Sequence, residues 1–266
     1  MSPLSVLNLA RRRLGRTFAL TSIFARHHSS LTDDLIENMD KKATWDRFYT
    51  ENNSNSSDFK NFEWFFGFDS VRDSIMPLLQ PRTTTPPDAA HRLHVLDLGC
   101  GTSALGPSIY RHSPVPVTVT CADISPVAVR LMREHIGAKG LEPHNPRSVL
   151  AFLELDCAEL CAHLGPHGDR RLDLIVDKGT TDALLRSRDG SGKASHVVRQ
   201  CLKALRGSGC LLQFSDEDPD ARLLWLETEG REPGAPAANV AVQEVGKLRG
   251  VRYYCYRVTP PESTGC

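Results

Sequence analysis

Apolar residues recur along this chain in two periods. Five short apolar runs, at 93–98, 117–122, 149–155, 172–176 and 210–214, are rich in Val, Leu and Ile and predict strands. The stretches between them carry apolar positions at helical spacing. Residues 103–111 predict a helix, and so does Pro126–Lys139, with Val127, Val129, Leu131 and Met132 inside it and Pro at its first turn. Residues 193–205 predict another, closed by Gly207 and Gly209.

Before the first strand, residues 32–49 predict a helix on Leu35, Ile36, Met39 and Ala43. The Asn- and Ser-rich stretch 51–58 predicts a loop, and residues 68–79 a second helix stopped at Pro81. Residues 81–88 are rich in Thr and Pro and predict a linker. After the fifth strand the pattern becomes two-fold: apolar runs at 240–245 and 251–258 flank a turn at 246–250, a hairpin with Tyr253, Tyr254 and Tyr256 in its second arm. Strands alternating with helices and ending in a hairpin imply an α/β, Rossmann-like, doubly wound sheet of seven strands, mostly parallel, with an antiparallel edge.

Composition narrows the function. The 266 residues carry 32 Lys+Arg against 32 Asp+Glu, which argues against a nucleic-acid partner. No uncharged apolar run approaches the roughly 20 residues of a membrane span, so no membrane partner is expected. The charge is unevenly placed. Residues 1–32 hold five arginines (11, 12, 13, 16 and 26), several serines and no acid. That is the composition of a mitochondrial presequence, with the matrix as its destination. The expected organisation is a presequence at 1–28, an aromatic lid and linker at 29–88, and a cofactor-binding domain at 89–260. None of the eight cysteines forms a C-x-x-C pair, so no metal site is expected, and most read as small buried apolar residues.

The candidate chemistry lies where strands end. Val95-Leu96-Asp97-Leu98-Gly99-Cys100-Gly101-Thr102 follows the first strand and opens a helix. Its glycines permit a tight turn and close approach of a ligand, and the spacing alone also fits a dinucleotide. Asp97 speaks against a pyrophosphate and for a ligand with a cationic end, such as S-adenosylmethionine. Asp123, at the tip of the second strand, can take both ribose hydroxyls; Asp156, after the third, can meet the adenine amino group. Residues 45–68 hold nine of the chain's 18 aromatics, a lid whose ring faces suit a sulfonium.

The segments VLDLGCGTSAL, CADISPVAV, LIVDKGTTDAL, WDRFY, FEWFFGF and FSDEDPD, spread from about residue 45 to residue 258, resemble the seven-β-strand protein-lysine methyltransferases, near the branch that methylates elongation factor 1A. The resemblance implies S-adenosylmethionine as cofactor, a protein substrate and a set of contacts. Trp45 and Tyr49 would close on the methionine part, with Phe62 in an aromatic position where the family often has Tyr. Gly99 would be the loop glycine, Asp123 and Ile124 the ribose pair, Asp156 and Cys157 the adenine pair. Lys178 would line the cofactor at the end of the fourth strand.

Methyl transfer to lysine needs a neutral, aligned amine, although free lysine titrates near 10.4. Asp177, at the end of the fourth strand, is the expected catalytic group, holding the incoming ammonium. The acidic stretch 216–220 is the other candidate: it reads either as a solvated loop or as an acidic rim at the substrate edge that steers a cationic lysine and its basic surroundings. Other readings are a small-molecule methyltransferase, an NAD(P)-dependent oxidoreductase, which lacks a Ser/Tyr/Lys set here, and a scaffold that has lost transfer.

Overall fold

Side chains on successive strand residues point to opposite faces, and here both faces are covered. In the computed structural model, which describes residues 35–54, 59–80, 92–165, 172–230 and 237–261, the strands are β1 (Leu93–Leu98), β2 (Val117–Asp123), β3 (Val149–Glu154), β4 (Leu172–Lys178), β5 (Leu205–Ser215), β6 (Asn239–Leu248) and β7 (Val251–Thr259). Val95, Val119, Leu174, Val176 and Leu212 face one layer with Val71, Ile75, Leu105 and Ile109. Their strand neighbours Leu96, Ile175 and Leu211 face the other, with Ala194, Val197, Val198 and Cys201.

The helices are α1 (Lys42–Ser54), α2 (Phe68–Ile75), α3 (Leu105–His112), α4 (Pro126–Lys139), α5 (Leu160–Leu164), α6 (Thr180–Arg186), α7 (Ser191–Ala204) and α8 (Pro219–Thr228). The strand order is β3-β2-β1-β4-β5-β7-β6. The first five strands run parallel and β7 pairs antiparallel with both β5 and β6. The chain winds outward from β1 to β3, then returns to β4 on the other side of β1. Ligands in such sheets bind beyond the carboxyl ends of the strands at this switch point. A third cluster, with Met39, Phe48, Tyr49, Trp64 and Phe65, caps that edge.

Several boundaries depart from the sequence pattern. The stretch 32–49 is not one helix. Residues 35–37 are helical, 38–40 turn, and α1 starts at Lys42; Lys41 N–H donates to Asn38 O, and Trp45 Nε1 donates to Met39 O at 2.8 Å. α1 then continues to Ser54, through residues expected to be a loop, because Asn53 and Ser54 donate back to Tyr49 O and Glu51 O. Gly207 and Gly209 do not close a helix. They lie inside β5, where the ladder jumps from Leu172↔Leu205 to Leu174↔Cys210. A Cβ on Gly209 would sit 2.9 Å from Leu172 O, so only glycine fits that bulge. The hairpin turn is shorter than expected, two residues rather than five: Arg249 and Gly250 have φ of 50° and 87°, as a tight primed turn demands. α5, α6 and α8 were not among the expected elements. The presequence expected at 1–28 and the linker expected at 81–88 lie outside the described residues.

Candidate active site

The loop after β1 turns through two residues of positive φ, Gly99 at 63° and Gly101 at 52°. Neither tolerates a side chain: a Cβ would lie 2.0 Å from Thr180 Oγ1 at Gly99 and 2.4 Å from Tyr49 Oη at Gly101. The loop is therefore pressed between the start of α6 and a ring of α1. Asp123 holds it from below, its carboxylate accepting from Gly101 N–H and Ser125 N–H at 2.8 Å each.

These elements wall a cleft with about 880 Å³ of empty space, open mouth included. The expected residues Trp45, Tyr49, Phe62, Gly99, Asp123, Ile124, Asp156, Cys157 and Lys178 all line it. Trp45 stacks on Tyr49 with ring centroids 6.0 Å apart, and Phe62 meets Phe48 edge-on at 5.0 Å. Burial, and then the Asp123 charge, push the Tyr49 hydroxyl well above its ordinary value, so it stays protonated at neutral pH and is no general base. Burial, and then Asp156, push the Cys157 thiol up to about 12, leaving it a small apolar neighbour. Asp156 caps the helical turn at Cys157–Glu159, accepting from Ala158 N–H, and takes Lys193 at 2.8 Å.

Electrostatics separates the ligands that the glycine loop leaves open. Four carboxylates line the cleft: Asp40, Asp97, Asp123 and Asp156. Its two lysines are already committed, Lys178 to Glu63 and Lys193 to Asp156. A pyrophosphate would meet acids with no spare cation. A ligand with ammonium and sulfonium groups, a ribose and an adenine finds carboxylates and aromatic faces in its place. Burial raises Asp97 to about 7, against the lowering by Lys178, and raises Asp123 to about 6. Burial is what disfavours their charged forms, and a cationic ligand beside them would favour those forms. The residues present fit S-adenosylmethionine.

Glu63 escaped the sequence reading. Its carboxylate accepts from Lys178 Nζ (2.8 Å), Ser103 Oγ (2.7 Å) and Ala104 N–H (2.8 Å), tying the lid to the glycine loop and to β4. The one signal was its place as the only acid in an aromatic run, Phe62 to Phe66. The lid is pinned elsewhere by Asp46 to Ser125 Oγ, Phe62 N–H to Thr102 Oγ1, and Asp40 to Ser187 Oγ.

Asp177 is not brought into the cleft. It is 1% exposed and its carboxylate accepts from Thr180 N–H, Thr181 N–H, Thr181 Oγ1 and Gln213 Nε2. Asp177 and Lys178 are consecutive on a strand, so when Lys178 reaches the cleft, Asp177 must point away. Its expected hold on a substrate ammonium is corrected to a structural one, at the start of α6. The reading of 216–220 as a solvated loop is corrected too. Asp218 caps α8, with Pro219 at its first position. Asp216 pairs with Arg186, and the fully buried Arg222 donates to Asp182 and Ser215. Much of the stretch therefore builds structure and is not a solvated loop.

The cysteines at 100, 121, 201, 210 and 255 are buried, and all described cysteines are free. No described helix is long and apolar enough to cross a membrane.

No protein-family model matches the chain. It is 58% identical over 242 residues to the mitochondrial citrate synthase-lysine N-methyltransferase of Danio rerio, covering 91% of this chain and 92% of that one. It is 39% identical over 233 residues to the protein of the same name from Homo sapiens, with 86% and 89% covered. Among solved structures, the [4+2]-cyclase SpnF aligns with a TM-score of 0.54 at 14% identity, over 84% of this chain and 95% of that one, a likeness of fold. With this identity over nearly its whole length, and a cleft that fits the cofactor, the chain belongs to the citrate synthase-lysine N-methyltransferases, protein-lysine methyltransferases that depend on S-adenosylmethionine.

Proposed function

We propose that this enzyme methylates a lysine of citrate synthase in the mitochondrial matrix. The names of the relatives support the substrate and the organelle. The acid-free, Arg-rich residues 1–32 support import. The observation that carries the chemistry is the cleft's charge: four carboxylates, with both lysines already paired.

When bound, S-adenosylmethionine supplies a methyl group on a cationic sulfur. Asp123 and Ile124 would hold its ribose, Asp156 and Cys157 its adenine, and Gly99 would let its methionine part approach the backbone. Asp97 is the buried acid under that part. Trp45, Tyr49, Phe62 and Trp64 form the opposite wall and exclude water, which strengthens every charge interaction inside. In the transfer a C–N bond forms as the C–S bond breaks, and the amine proton leaves to solvent. The chain's contribution is alignment and desolvation, worth roughly 7–11 kcal/mol in well-oriented systems. A lysine buried beside a sulfonium also loses its proton more readily.

Purified enzyme, methyl-labelled S-adenosylmethionine and a matrix extract test this. Label in a band that is citrate synthase by mass spectrometry, on lysine, is the expected result. Label in small molecules would favour a small-molecule methyltransferase and overturn the proposal. A reporter fused to residues 1–35 should enter mitochondria; its retention in the cytosol would overturn the matrix assignment.

A further inference from the structure

The β6–β7 hairpin is longer than the sheet it joins. β5 pairs with β7 only as far as Ser215↔Tyr254. β6 and β7 continue past that point, through Gly246↔Tyr253 and Lys247↔Arg252, to Leu248↔Val251. The apex therefore stands beyond the carboxyl end of β5, on the edge of the sheet that holds the cleft. Its stem is anchored there. Tyr253 is buried against Phe65 and Phe66, with ring centroids 4.8 and 5.4 Å apart. Val251 packs on the cluster that contains Met39, Trp64 and Ala183, three residues that line the cleft.

The apex itself is basic. Residues 245–253 contain Lys247, Arg249 and Arg252 and no acid, and all three side chains are exposed. Leu248, between them, is 42% exposed. Charges on an exposed edge strand can serve only to block edge-to-edge pairing. That role would spread them along β6. Instead residues 239–246 carry one charge, Glu244, and the cations gather at the tip, with Arg252 on the inner strand β7. The cleft on the other side of that cluster is lined by acids, so the two surfaces differ in sign.

We propose that this apex, residues 247–252, is the docking surface for the protein substrate and takes an acidic patch beside the target lysine. Two surfaces of opposite sign fix a partner's orientation as well as its approach: the acidic cleft takes the lysine, and the basic apex takes its acidic surroundings. Leu248 supplies an apolar contact at the centre. This rests on the reading of the chain as a protein-lysine methyltransferase.

The test compares the full chain with K247E/R249E/R252E, using purified citrate synthase as acceptor. The apex is exposed, and an unchanged melting temperature with unchanged calorimetric affinity for S-adenosylmethionine identifies a folded variant. The expected result is a KM for the protein acceptor raised about tenfold or more, with kcat within about twofold. The wild-type KM should rise between about 20 and 200 mM salt, and that dependence should flatten or reverse in the variant. If the folded variant keeps the wild-type KM, the docking assignment is wrong while the activity stands. If the wild-type chain labels no protein, the functional reading falls and the docking surface with it.

Discussion

Lys178 Nζ lies 2.8 Å from Glu63 Oε2 and 2.9 Å from Trp64 O, joining the end of β4 to a lid segment 115 residues earlier in the chain. Burial alone would raise the Glu63 carboxyl, but Lys178 overrides it and holds the group below its ordinary value. The lysine is 4% exposed and the carboxylate 22%. Removing one partner of such a pair strands the other charge, and that loss exceeds the net worth of the pair.

The lid should therefore loosen when either residue is neutralised. Glu63→Gln and Lys178→Met are each expected to lower the melting temperature and to weaken S-adenosylmethionine binding by about tenfold or more. The double variant should lose less than the two single losses added, because it leaves no orphan charge. Calorimetric titration of all four proteins measures the coupling; strictly additive losses would separate the lid from the pair.

Asp123 is a sharper probe of the cofactor. Asp123→Ala removes two hydrogen-bond acceptors from the proposed ribose contact, each worth about 1 kcal/mol or more, so the dissociation constant should rise at least about tenfold. It also frees Gly101 N–H and Ser125 N–H. Asp123→Asn, which can still accept from one of them, should fold closer to wild type and yet bind weakly. Normal affinity in a folded Asp123→Asn chain would move the ribose contact elsewhere.

The strands were legible because alternate residues bury both faces: Val95 and Leu96, or Leu174, Ile175 and Val176, announce themselves by composition. Strand ends bring Asp123, Asp156 and Lys178 to the cleft for the same reason. What could not be read was direction at those ends. Asp177 and Lys178 look equally available in the sequence, and only the parity of β4 sends one inward and the other away. α8 was hidden because Asp216 to Asp220 has the composition of a loop, although Asp218 followed by Pro219 is also a helix start. Glu63 was hidden because its partners, Lys178 and Ser103, are distant in sequence.

The corrected role of Asp177 carries its own prediction. Asn in its place offers one acceptor oxygen where the carboxylate now serves Thr180, Thr181 and Gln213. Unmet buried donors cost roughly 1–3 kcal/mol, so Asp177→Asn should melt several degrees lower. At a temperature where it is folded, its kcat and cofactor affinity should stay within about threefold of wild type. A loss of about a hundredfold in kcat without loss of stability would return Asp177 to the chemistry.

The last prediction concerns pH. Asp97 and Asp123 titrate in the folded, ligand-free chain at about 7 and about 6, both raised chiefly by burial. In the unfolded chain they titrate near 4. Between those values these two carboxyls bind more protons in the folded state than in the unfolded one, so their contribution to stability falls as pH rises from about 4 to about 7. A cationic cofactor prefers the ionised acids and therefore acts in the opposite direction. Binding should release protons near pH 6.5, and affinity should climb between about pH 5.5 and 7.5 while the ligand-free melting temperature declines. Asp97→Asn removes the upper of the two titrations. That variant should bind S-adenosylmethionine more weakly at pH 7.5, and its melting temperature should fall less between pH 6 and about 7.5. Calorimetry in two buffers of different ionisation heat counts the protons released. An affinity that does not change over this range would mean that neither carboxylate faces the cofactor's positive charge.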